Sequence, residues 1–438
     1  MSEEQREDAR NVFANIPNGG LLDYVAAWYV KALSFIYANR SINVAFVSTN
    51  SIAQGEQVAA LWLPLLQGGA KIYFAHRTFQ WSNEGKGNAA VHCVIIGFGL
   101  NNPECCTIYD HSADIKDDGQ VLIVKRINPY LVDAPDVVLS NRRTPLCTVP
   151  GIGIGNKPID GGNYLFTEAE RDNFLAIEPK ASGFFRPWIG SEEFINGFNR
   201  WCLWLGDASP QQLRSMPECM KRIDAVRKFR LASSSAPTQK LADSPTRFHV
   251  EFLPETRYLL VPGVSSERRE FIPIGFITAN VMASNLVLTI PNATTYHFSI
   301  LNSTMHNAWM RAVCGRLESR YRYSATIVYN NFPWPEPTEA QQALLETTGQ
   351  GILDARLQHP DASLADLYDP LTMPAMLRKA HEVNDRAADA AYKYKGDRTD
   401  AARVAFLFER YQRLTSLLPT EKPKRRGILK ATKITVVE

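Results

Sequence analysis

Apolar residues recur at helical spacing in the first part of the chain. Between residues 21 and 39, six apolar side chains fall on one side of a helix, and a second helix is predicted at 54–66. A buried strand is predicted between them at 42–47. This alternation of helix and strand predicts an α/β sheet of the doubly wound type, ending in an antiparallel pair.

The antiparallel pair is predicted at 71–75 and 90–96, where β-branched and aromatic residues are concentrated. The polar segment between these strands is longer than the about two to five residues of a common hairpin loop. It carries Arg77, Phe79 and Trp81, followed by glycines at 85 and 87. Such a loop either forms a working surface or tucks its aromatic rings into a neighbouring core, and both interpretations stay open.

Beyond Pro103 the pattern changes to short strands, turns and interspersed helices, up to the double-proline run at 330–335. Strands are predicted at 120–126, 136–139, 257–262 and 271–276, and helices at 168–176, 191–205 and 209–231. From Thr338 to about Leu418 the chain is helical again, in segments 338–357, 370–394 and 400–418. The fold class predicted for the whole is therefore α/β followed by α+β, with a small helical part at the end.

The composition is that of an ordinary globular protein, with 438 residues of which 45% are hydrophobic and 21% charged. No apolar run approaches the ~18 residues needed to cross a bilayer. The acidic, polar start MSEEQREDAR is neither a signal nor a transit peptide. We therefore expect a soluble, cytoplasmic protein without membrane contact. The seven cysteines are irregularly spaced, which indicates reduced structural thiols rather than disulfides or a metal site.

Positive charge is concentrated in one region, although the net charge of the chain is only +3. Residues 211–330 contain fifteen Lys and Arg against eight Asp and Glu. The tail at 419–438 is also basic, and we predict that it is disordered. A local excess of this kind suits a polyanionic partner such as DNA, although basic faces are often simply solvated.

Two motifs that suggest other chemistry do not meet its requirements. The glycines of 151–155 fall at every second position and are followed by Pro158, so no helix begins there to hold a phosphate. Pro135-Asp136 with 178–180 spells a nuclease-like metal pattern. Its second element contains Pro179, which a central strand does not accommodate.

Two arginine-bearing runs are candidates for DNA contact. The first, between two predicted strands, can offer donors to guanine and acceptors to cytosine, or can form a salt-bridged turn; it contains Glu267, Arg268 and Arg269. The second is interleaved with aromatic residues and suits phosphate contacts, or a packed and solvated helix; it contains Arg311, Arg316, Arg320 and Arg322.

Several long runs resemble amino-group DNA methyltransferases of the gamma order and, more closely, the MmeI-like (type IIL) restriction-modification family. In that family one polypeptide combines restriction, adenine methylation and target recognition. The runs are LLDYVAAW, NVAFVSTNSI, HRTFQWSNEGKGNAAVHCVIIGFG, VSSERREFIPIGF, STMHNAWMRAVCGRLESRYRYSATIVYNNFPWP and YDPLTMPAMLRKAHEVND. The resemblance extends from about Asp8 to Leu418. It implies the last part of a Rossmann-like methyltransferase domain at 1–115, a target-recognition domain at 116–335 and a helical C-terminal domain at 336–418.

The resemblance also implies roles for individual residues. Phe79 lies where the aromatic residue that stacks on an extruded adenine is expected, with Trp81 as the second candidate. Asp23 and Tyr24 would shape the methionine end of the pocket for S-adenosyl-L-methionine, the expected cofactor. Arg77 and the two arginine runs would contact double-stranded DNA, the expected partner.

The chain departs from the family at one point. The glycine-rich cofactor loop and the N-P-P-[YF] catalytic motif are expected upstream of Leu21, and this sequence does not contain them. Its Asn-Pro pairs, at 102–103 and 128–129, continue with Glu104 and Tyr130. We therefore expect a fragment of an adenine methyltransferase that is inactive alone. The alternatives are a non-catalytic recognition subunit that works with a separately encoded N-terminal half, or a non-functional remnant.

Overall fold

The computed structural model describes residues 1–81, 91–111 and 119–417. The predicted loop glycines at 85 and 87 and the basic tail at 419–438 lie outside the described residues. No helix in the described part is both long and apolar enough to cross a bilayer. All seven cysteines are described, and each is a free thiol.

The first part of the chain alternates helices and strands, as predicted. Its elements are α1 (Glu3–Val12), α2 (Ala26–Ala38), β1 (Val44–Thr49), α3 (Gln57–Gln67), β2 (Lys71–Trp81), β3 (Val91–Gly99), β4 (Cys106–Asp110) and β5 (Gln120–Val124). Among the described residues the strands form one mixed sheet in the order β1-β3-β2-β4-β5. β2 runs parallel to β4 and the other neighbours are antiparallel. The predicted α/β class and its antiparallel pair are confirmed.

The prediction for the end of the second strand was wrong. β2 continues from Ala75 through Trp81, with Phe79 opposite Cys93 and Trp81 opposite Val91. The register slips between His76 and Phe79, which marks a β-bulge. A bulge breaks the period-two pattern, so the strand continues where the sequence alone indicates a loop. Arg77, Phe79 and Trp81 therefore lie on a strand and not in a loop.

Aromatic side chains fill the core between this sheet and its helices. Tyr29 of α2 stacks on Phe98 of β3 with ring centroids 5.5 Å apart, and Trp62 of α3 lies edge-on to both rings. The Trp62 indole donates its N–H to the carbonyl oxygen of Ile52, which satisfies the one polar atom of a fully buried ring. The buried cluster continues from here into the rest of the chain, as far as Tyr411.

The middle part consists of short strands and helices, as predicted. Its elements are β6 (Gly153–Ile154), β7 (Leu165–Phe166), α4 (Glu168–Ile177), β8 (Phe185–Ile189), α5 (Ser191–Asn196), β9 (Arg200–Leu203), α6 (Pro210–Arg214), α7 (Pro217–Leu231), α8 (Ala236–Lys240), β10 (Tyr258–Pro262), β11 (Val264–Ser265), β12 (Gly275–Ile277), β13 (Met282–Ala283), β14 (Val287–Pro291), α9 (Thr295–Leu301), α10 (Thr304–Val313), β15 (Gly315–Leu317) and β16 (Arg320–Arg322). Among the described residues these strands form three sheets, β12-β10-β14-β6, β11-β16-β15 and β13-β8-β9-β7.

Three local predictions in this part were wrong. The helix predicted at 191–205 ends at Gly197, whose φ of +74° forms a left-handed cap, and the chain then enters β9. The strand predicted at 136–139 is irregular, and its Leu139 donates its N–H to the Tyr130 hydroxyl. The strand predicted at 271–276 begins only at Gly275, because Pro273 lacks the N–H that a ladder needs.

The C-terminal part is helical, as predicted, with α11 (Glu339–Leu357), α12 (Leu364–Leu367), α13 (Ala375–Tyr392) and α14 (Asp400–Leu417). The buried Asn384 joins three of the helices. Its Nδ2 donates to the carbonyl oxygen of Ser299 in α9, and its Oδ1 accepts from Thr348 in α11. Because each polar group here is satisfied, the helical part is fixed against the middle part of the chain.

Candidate functional site

The β15–β16 hairpin presents two arginines on one face. β16 alternates in burial, with Arg320 and Arg322 exposed and Tyr321 only 7% exposed between them. Arg320 makes an exposed ion pair with Glu318, at 2.9 Å. Within the described residues no carboxylate lies within ion-pair distance of Arg322. Its guanidinium is therefore available to an external anion.

Arg316 of the same hairpin is engaged inside the protein. Its guanidinium lies 4.0 Å above the ring of Tyr321, and Nη1 donates to the carbonyl oxygen of Ser319 at 2.9 Å. These contacts stabilise the hairpin turn that presents Arg320 and Arg322. As a direct DNA contact, Arg316 stays a prediction.

The run containing Glu267, Arg268 and Arg269 forms a turn directly after β11. Ser266 caps this turn, because its hydroxyl accepts from the N–H of Arg268 and its carbonyl oxygen accepts from the N–H of Arg269. Glu267 and Arg268 are exposed, and Arg268 lies 3.9 Å from Asp369. Arg269 is half-buried, and burial lowers the pKa of its guanidinium. A half-buried cation is stabilised by an anion that binds beside it.

The two arginine runs meet at one cleft. A cavity of about 640 Å³ is lined by Arg269 from the turn and by Arg320 and Arg322 from the hairpin. Other polar groups come from segments that the sequence analysis did not select; they are Ser191, Glu192, Glu193, Asn196, Arg200 and Asn285. Residues 191–205 were predicted as a single helix, and no local signal in these segments indicates the cleft. Strand pairing between distant parts of the chain brings these residues together.

A second cleft, of about 610 Å³, separates this surface from the α/β part. Asn50, Ser51 and Gln57 line one side, and Arg316, Arg322 and Tyr323 line the other. Arg322 lines both clefts. The two clefts therefore adjoin the same strand of the hairpin.

Phe79 belongs to an aromatic cluster at the end of the α/β sheet. Its ring centroid lies 5.4 Å from that of His111 and 6.2 Å from those of His76 and Trp81. His76 stacks flat on Tyr109, with centroids 4.1 Å apart. Burial, and then the neighbouring His111, lower the pKa of His76, which favours a neutral ring. Phe79 is half-buried, whereas Trp81 is 48% exposed, so their neighbours hold Phe79 more firmly than Trp81.

Arg77 is tied into the protein. It forms an ion pair with Asp110, and its Nε donates to the carbonyl oxygen of Leu131 at 2.9 Å. The Arg77 and Asp110 side chains are only 19% and 14% exposed. Arg77 therefore anchors β2 to the segment around Leu131, and its role as a DNA contact stays a prediction.

Asp23 and Tyr24, predicted at a cofactor pocket, lie before α2. Oδ2 of Asp23 accepts from the Ser51 hydroxyl and from Nε2 of Gln57, each at 2.9 Å. The Tyr24 hydroxyl donates to Asp8 at 2.7 Å. Oδ1 of Asp23 has no hydrogen bond among the described residues and could accept from an ammonium group. Such an oxygen is compatible with the ammonium group of S-adenosylmethionine, and the role of Asp23 and Tyr24 at a cofactor pocket stays a prediction.

Comparisons with known proteins agree along the length of the chain. Models of three MmeI domains match in series: the DNA-methyltransferase domain at 1–110, the target recognition domain at 133–336 and the C-terminal domain at 337–419. DNA methyltransferase A of Bacillus subtilis (strain 168) is 38% identical over 415 residues, which are 95% of this chain and 46% of that protein.

A solved structure is similar over the same extent. The type IIL restriction-modification enzyme MmeI in complex with DNA is 50% identical, with a TM-score of 0.87, over 95% of this chain and 56% of that one. The chain thus spans about half the length of these two relatives. The boundaries that we predicted near residues 115 and 335 stay predictions.

Proposed function

This chain belongs to the MmeI family of restriction-modification DNA methyltransferases, and from that premise we propose that it acts in site-specific adenine methylation of double-stranded DNA. The observation that carries the proposal is the convergence of Arg269, Arg320 and Arg322 on one cleft. The solved relative that is 50% identical is a DNA complex, which supports a DNA partner here. We place this action in the cytoplasm.

In this proposal the cleft reads the DNA sequence. Arg320 and Arg322 project from the same face of β16 and can donate bidentate hydrogen bonds to guanine or bind phosphate oxygens. Glu267 and Arg268 lie on the exposed turn beside them and would contact the same DNA. Arg316 stabilises the hairpin, and Arg77 anchors β2, so both would act on DNA through the elements that they hold.

The aromatic cluster receives the base to be methylated. An adenine must leave the duplex before its amino group is accessible, and stacking on an aromatic ring offsets part of that cost, by about 1–3 kcal/mol per base. Phe79 suits this role because the bulge in β2 and the neighbouring rings hold it in place. Trp81 is the second candidate for the same contact.

S-Adenosyl-L-methionine would supply the methyl group. From this chain, we propose that the Asp23 carboxylate accepts a hydrogen bond from the cofactor's ammonium group. Ser51 and Gln57 orient that carboxylate through its other oxygen. Tyr24, held by Asp8, would form the adjoining wall.

A second candidate function is DNA recognition without catalysis, in complex with a separately encoded N-terminal half. The outer edge of β1 favours docking of such a half, because no strand pairs there among the described residues. Val47 on β1 is 48% exposed, and Trp28 and Phe35 of α2 are 56% and 65% exposed. An unpaired strand edge beside exposed apolar side chains is suited to receiving a further strand from a partner.

Two measurements on the purified chain separate these functions. The first selects bound duplexes from a random pool at moderate salt, and the second follows methyl transfer from labelled S-adenosylmethionine to the selected duplex. Because we expect this chain to be inactive alone, transfer is followed with and without a separately expressed polypeptide that carries the cofactor loop and N-P-P-[YF]. Transfer to adenine that requires this polypeptide and is lost in Phe79→Ala, with the selected sequence kept, supports the first function. The same transfer unchanged in Phe79→Ala supports the second, and robust transfer by this chain alone would contradict the expectation that essential parts are missing. Uniform binding that weakens steeply with salt would contradict both, because it indicates phosphate contacts alone.

A further inference from the structure

Gly55 of the α/β part packs against Gly315, the first residue of the β15–β16 hairpin. The N–H of Gly55 donates to the carbonyl oxygen of Val313 at 3.1 Å. A Cβ added to Gly55 would lie 3.0 Å from the Cα of Gly315 and 3.3 Å from its nitrogen. Gly55 also has a φ of +64°, a conformation that side chains disfavour. Only glycine fits this position without displacing its neighbour.

On the recognition side the contact is rigid. Gly315 begins β15, and the preceding residues, Val313 and Cys314, are fully buried. The N–H of Cys314 closes the last turn of α10 by donating to Met310. Buried, hydrogen-bonded residues do not shift independently, so a displacement of Gly315 is transmitted to the hairpin that carries Arg320 and Arg322.

On the α/β side, a short helical turn and two strand pairings connect Gly55 to Phe79. Gly55 follows a short 3₁₀ helix (Asn50–Ala53) that begins where β1 ends at Thr49. Thr49 lies opposite Cys93 in β3, and Cys93 lies opposite Phe79 in β2. Adjacent strands are about 4.8 Å apart, so Thr49 and Phe79 are separated by roughly 10 Å of hydrogen-bonded sheet. Ile52 in the connecting turn is fully buried.

We propose that Gly55 is a positioning residue: its contact with Gly315 sets the distance between the base stacked on Phe79 and the bases read by the β15–β16 hairpin. Both glycines line the cleft of about 610 Å³ between the two parts. A DNA strand that spans this cleft would meet both sites at a separation fixed by the glycine contact. The inference rests on the proposed function, since it requires one surface that reads DNA and another that receives a base.

The chain offers matched variants for a test. Gly55→Ala introduces a Cβ that forces Gly315 to move by a few tenths of an ångström. Gly55→Asn introduces the same Cβ on a residue that tolerates positive φ better, and so separates the contact from backbone strain. Gly69→Ala is the control for strain alone, because Gly69 has a φ of +87° and nothing within 4 Å of an added Cβ.

The experiment measures DNA binding and base opening separately for each variant of the full chain. Binding is measured on the duplex that the wild-type chain selects, and opening as the fluorescence of 2-aminopurine at each adenine position in turn. We expect both Gly55 variants to keep the selected sequence and its Kd within about two-fold, while opening falls by about ten-fold or moves to another position. Gly69→Ala should match the wild type in both measurements.

Other outcomes overturn the inference in distinguishable ways. Unchanged opening in both Gly55 variants shows that the contact does not set the spacing. Loss of the thermal unfolding transition in both shows a contact needed only for folding. Binding and opening that fall in proportion show a general loss of the recognition surface. If the wild-type chain selects no sequence, or opens no base, the proposed function itself fails and the inference with it.

Discussion

Val264 lies opposite Arg322 in the antiparallel pairing of β11 with β16. This pairing places the turn that follows β11, with Arg268 and Arg269, beside the strand that carries Arg320. Neither run forms the cleft by itself. The cleft exists because β11 and β16, far apart in sequence, pair with each other in one small three-stranded sheet.

The arginines of the cleft should divide into those that contact phosphate and those that contact bases. We expect Arg322→Gln to weaken binding, because no carboxylate among the described residues neutralises this guanidinium. A phosphate contact would lower affinity uniformly across sequences and reduce the slope of log Kd against log salt by about 1. A base contact would instead cost about 1–3 kcal/mol on the selected duplex and relax the preference at one position.

Arg386→Gln is the matched control for this prediction. Arg386 is an exposed arginine of α13 and lines neither cleft. Mobility shifts at several salt concentrations, on selected and scrambled duplexes, measure both quantities. If Arg322→Gln behaves like Arg386→Gln, Arg322 has no place in the interface.

Sequence patterns predicted helices and strands well where interactions within the segment itself determine its structure. The capping box of α4, in which Thr167 and Glu170 cap each other, is such a local signal, and its helix was predicted to within one residue at each end. The same patterns failed where pairing with a strand distant in sequence determines how far an element extends. β2 extends past Ala75 because β3 continues the ladder across a bulge, and no local preference encodes that bulge.

The candidate site shows the same division. The family resemblance indicated Phe79, and residue type indicated the arginines, but neither showed which guanidinium groups make contacts inside the protein. Arg77 and Arg316 look like Arg322 in sequence, yet an ion pair holds the first and an aromatic ring the second. Only the packed structure distinguishes them, because each internal partner comes from a separate strand or loop.

Arg230 is expected to be a main determinant of stability in the middle part of the chain. It is fully buried, and its guanidinium donates to five carbonyl oxygens from two loops; they belong to Pro158, Ile159, Leu241, Ser244 and Arg247. Arg230→Met would leave these acceptors without their donor. Since each unsatisfied buried polar group costs about 1–3 kcal/mol, we expect the free energy of unfolding to fall by about 3 kcal/mol or more. Urea unfolding measures it, and the exposed Arg227→Met on the same helix should change stability by less than about 0.5 kcal/mol.

Two buried histidines should make the protein less stable in acid. Burial lowers the pKa of His306 and of His381 to about 3, from 6.5 when unfolded. Each ring is neutral in the fold, where Nε2 accepts from the hydroxyl of Tyr323 or Tyr368. Because the folded pKa is the lower one, their contribution is complete above pH 6.5 and is lost as the pH falls towards 3. The free energy of unfolding should fall by about 1.4 kcal/mol per pH unit for each histidine.

His381→Gln tests this assignment. Between pH 6 and 4 it should reduce the slope of unfolding free energy against pH by about 1.4 kcal/mol per pH unit, which is the contribution of one titrating histidine. This holds whatever the variant does to stability at pH 7. His249→Gln, at an exposed histidine, is the control and should leave the slope unchanged. An identical slope in His381→Gln and the wild type would show that His381 does not titrate on unfolding.

Asp385 should act in the opposite direction. Burial raises its pKa to about 6, although both of its oxygens accept from Thr304 at 2.6 Å. Since the folded pKa exceeds the unfolded value of 3.8, its contribution is complete below pH 3.8 and is lost as the pH rises through 6. Asp385→Asn can keep both hydrogen bonds, with Oδ1 accepting from the Thr304 N–H and Nδ2 donating to its hydroxyl. We expect this variant to raise the free energy of unfolding by about 1–3 kcal/mol at pH 7 and to leave it unchanged at pH 4, as measured by thermal or urea unfolding.

Asp389→Asn is the companion to that variant. Asp389 pairs with the buried Arg403 of α14, so removing its charge should destabilise the protein at pH 7. If both variants were more stable than the wild type, the cause would be the lower negative charge near α13 and not the burial of the Asp385 carboxylate.

Phe79 should determine how long an extruded base stays outside the duplex. Phe79→Ala removes a stacking surface worth about 1–3 kcal/mol, so the 2-aminopurine signal at the target position should fall by about ten-fold. Phe79→Tyr keeps the ring and should keep most of that signal.

Trp81→Ala separates the two aromatic candidates. We expect a smaller loss of the 2-aminopurine signal in this variant, because Trp81 is 48% exposed while the rings of His76 and His111 flank Phe79. A full signal in Phe79→Ala together with a lost signal in Trp81→Ala would move the stacking role to Trp81. In each variant the selected DNA sequence should stay the same, because the cleft that holds Arg269, Arg320 and Arg322 contains neither ring.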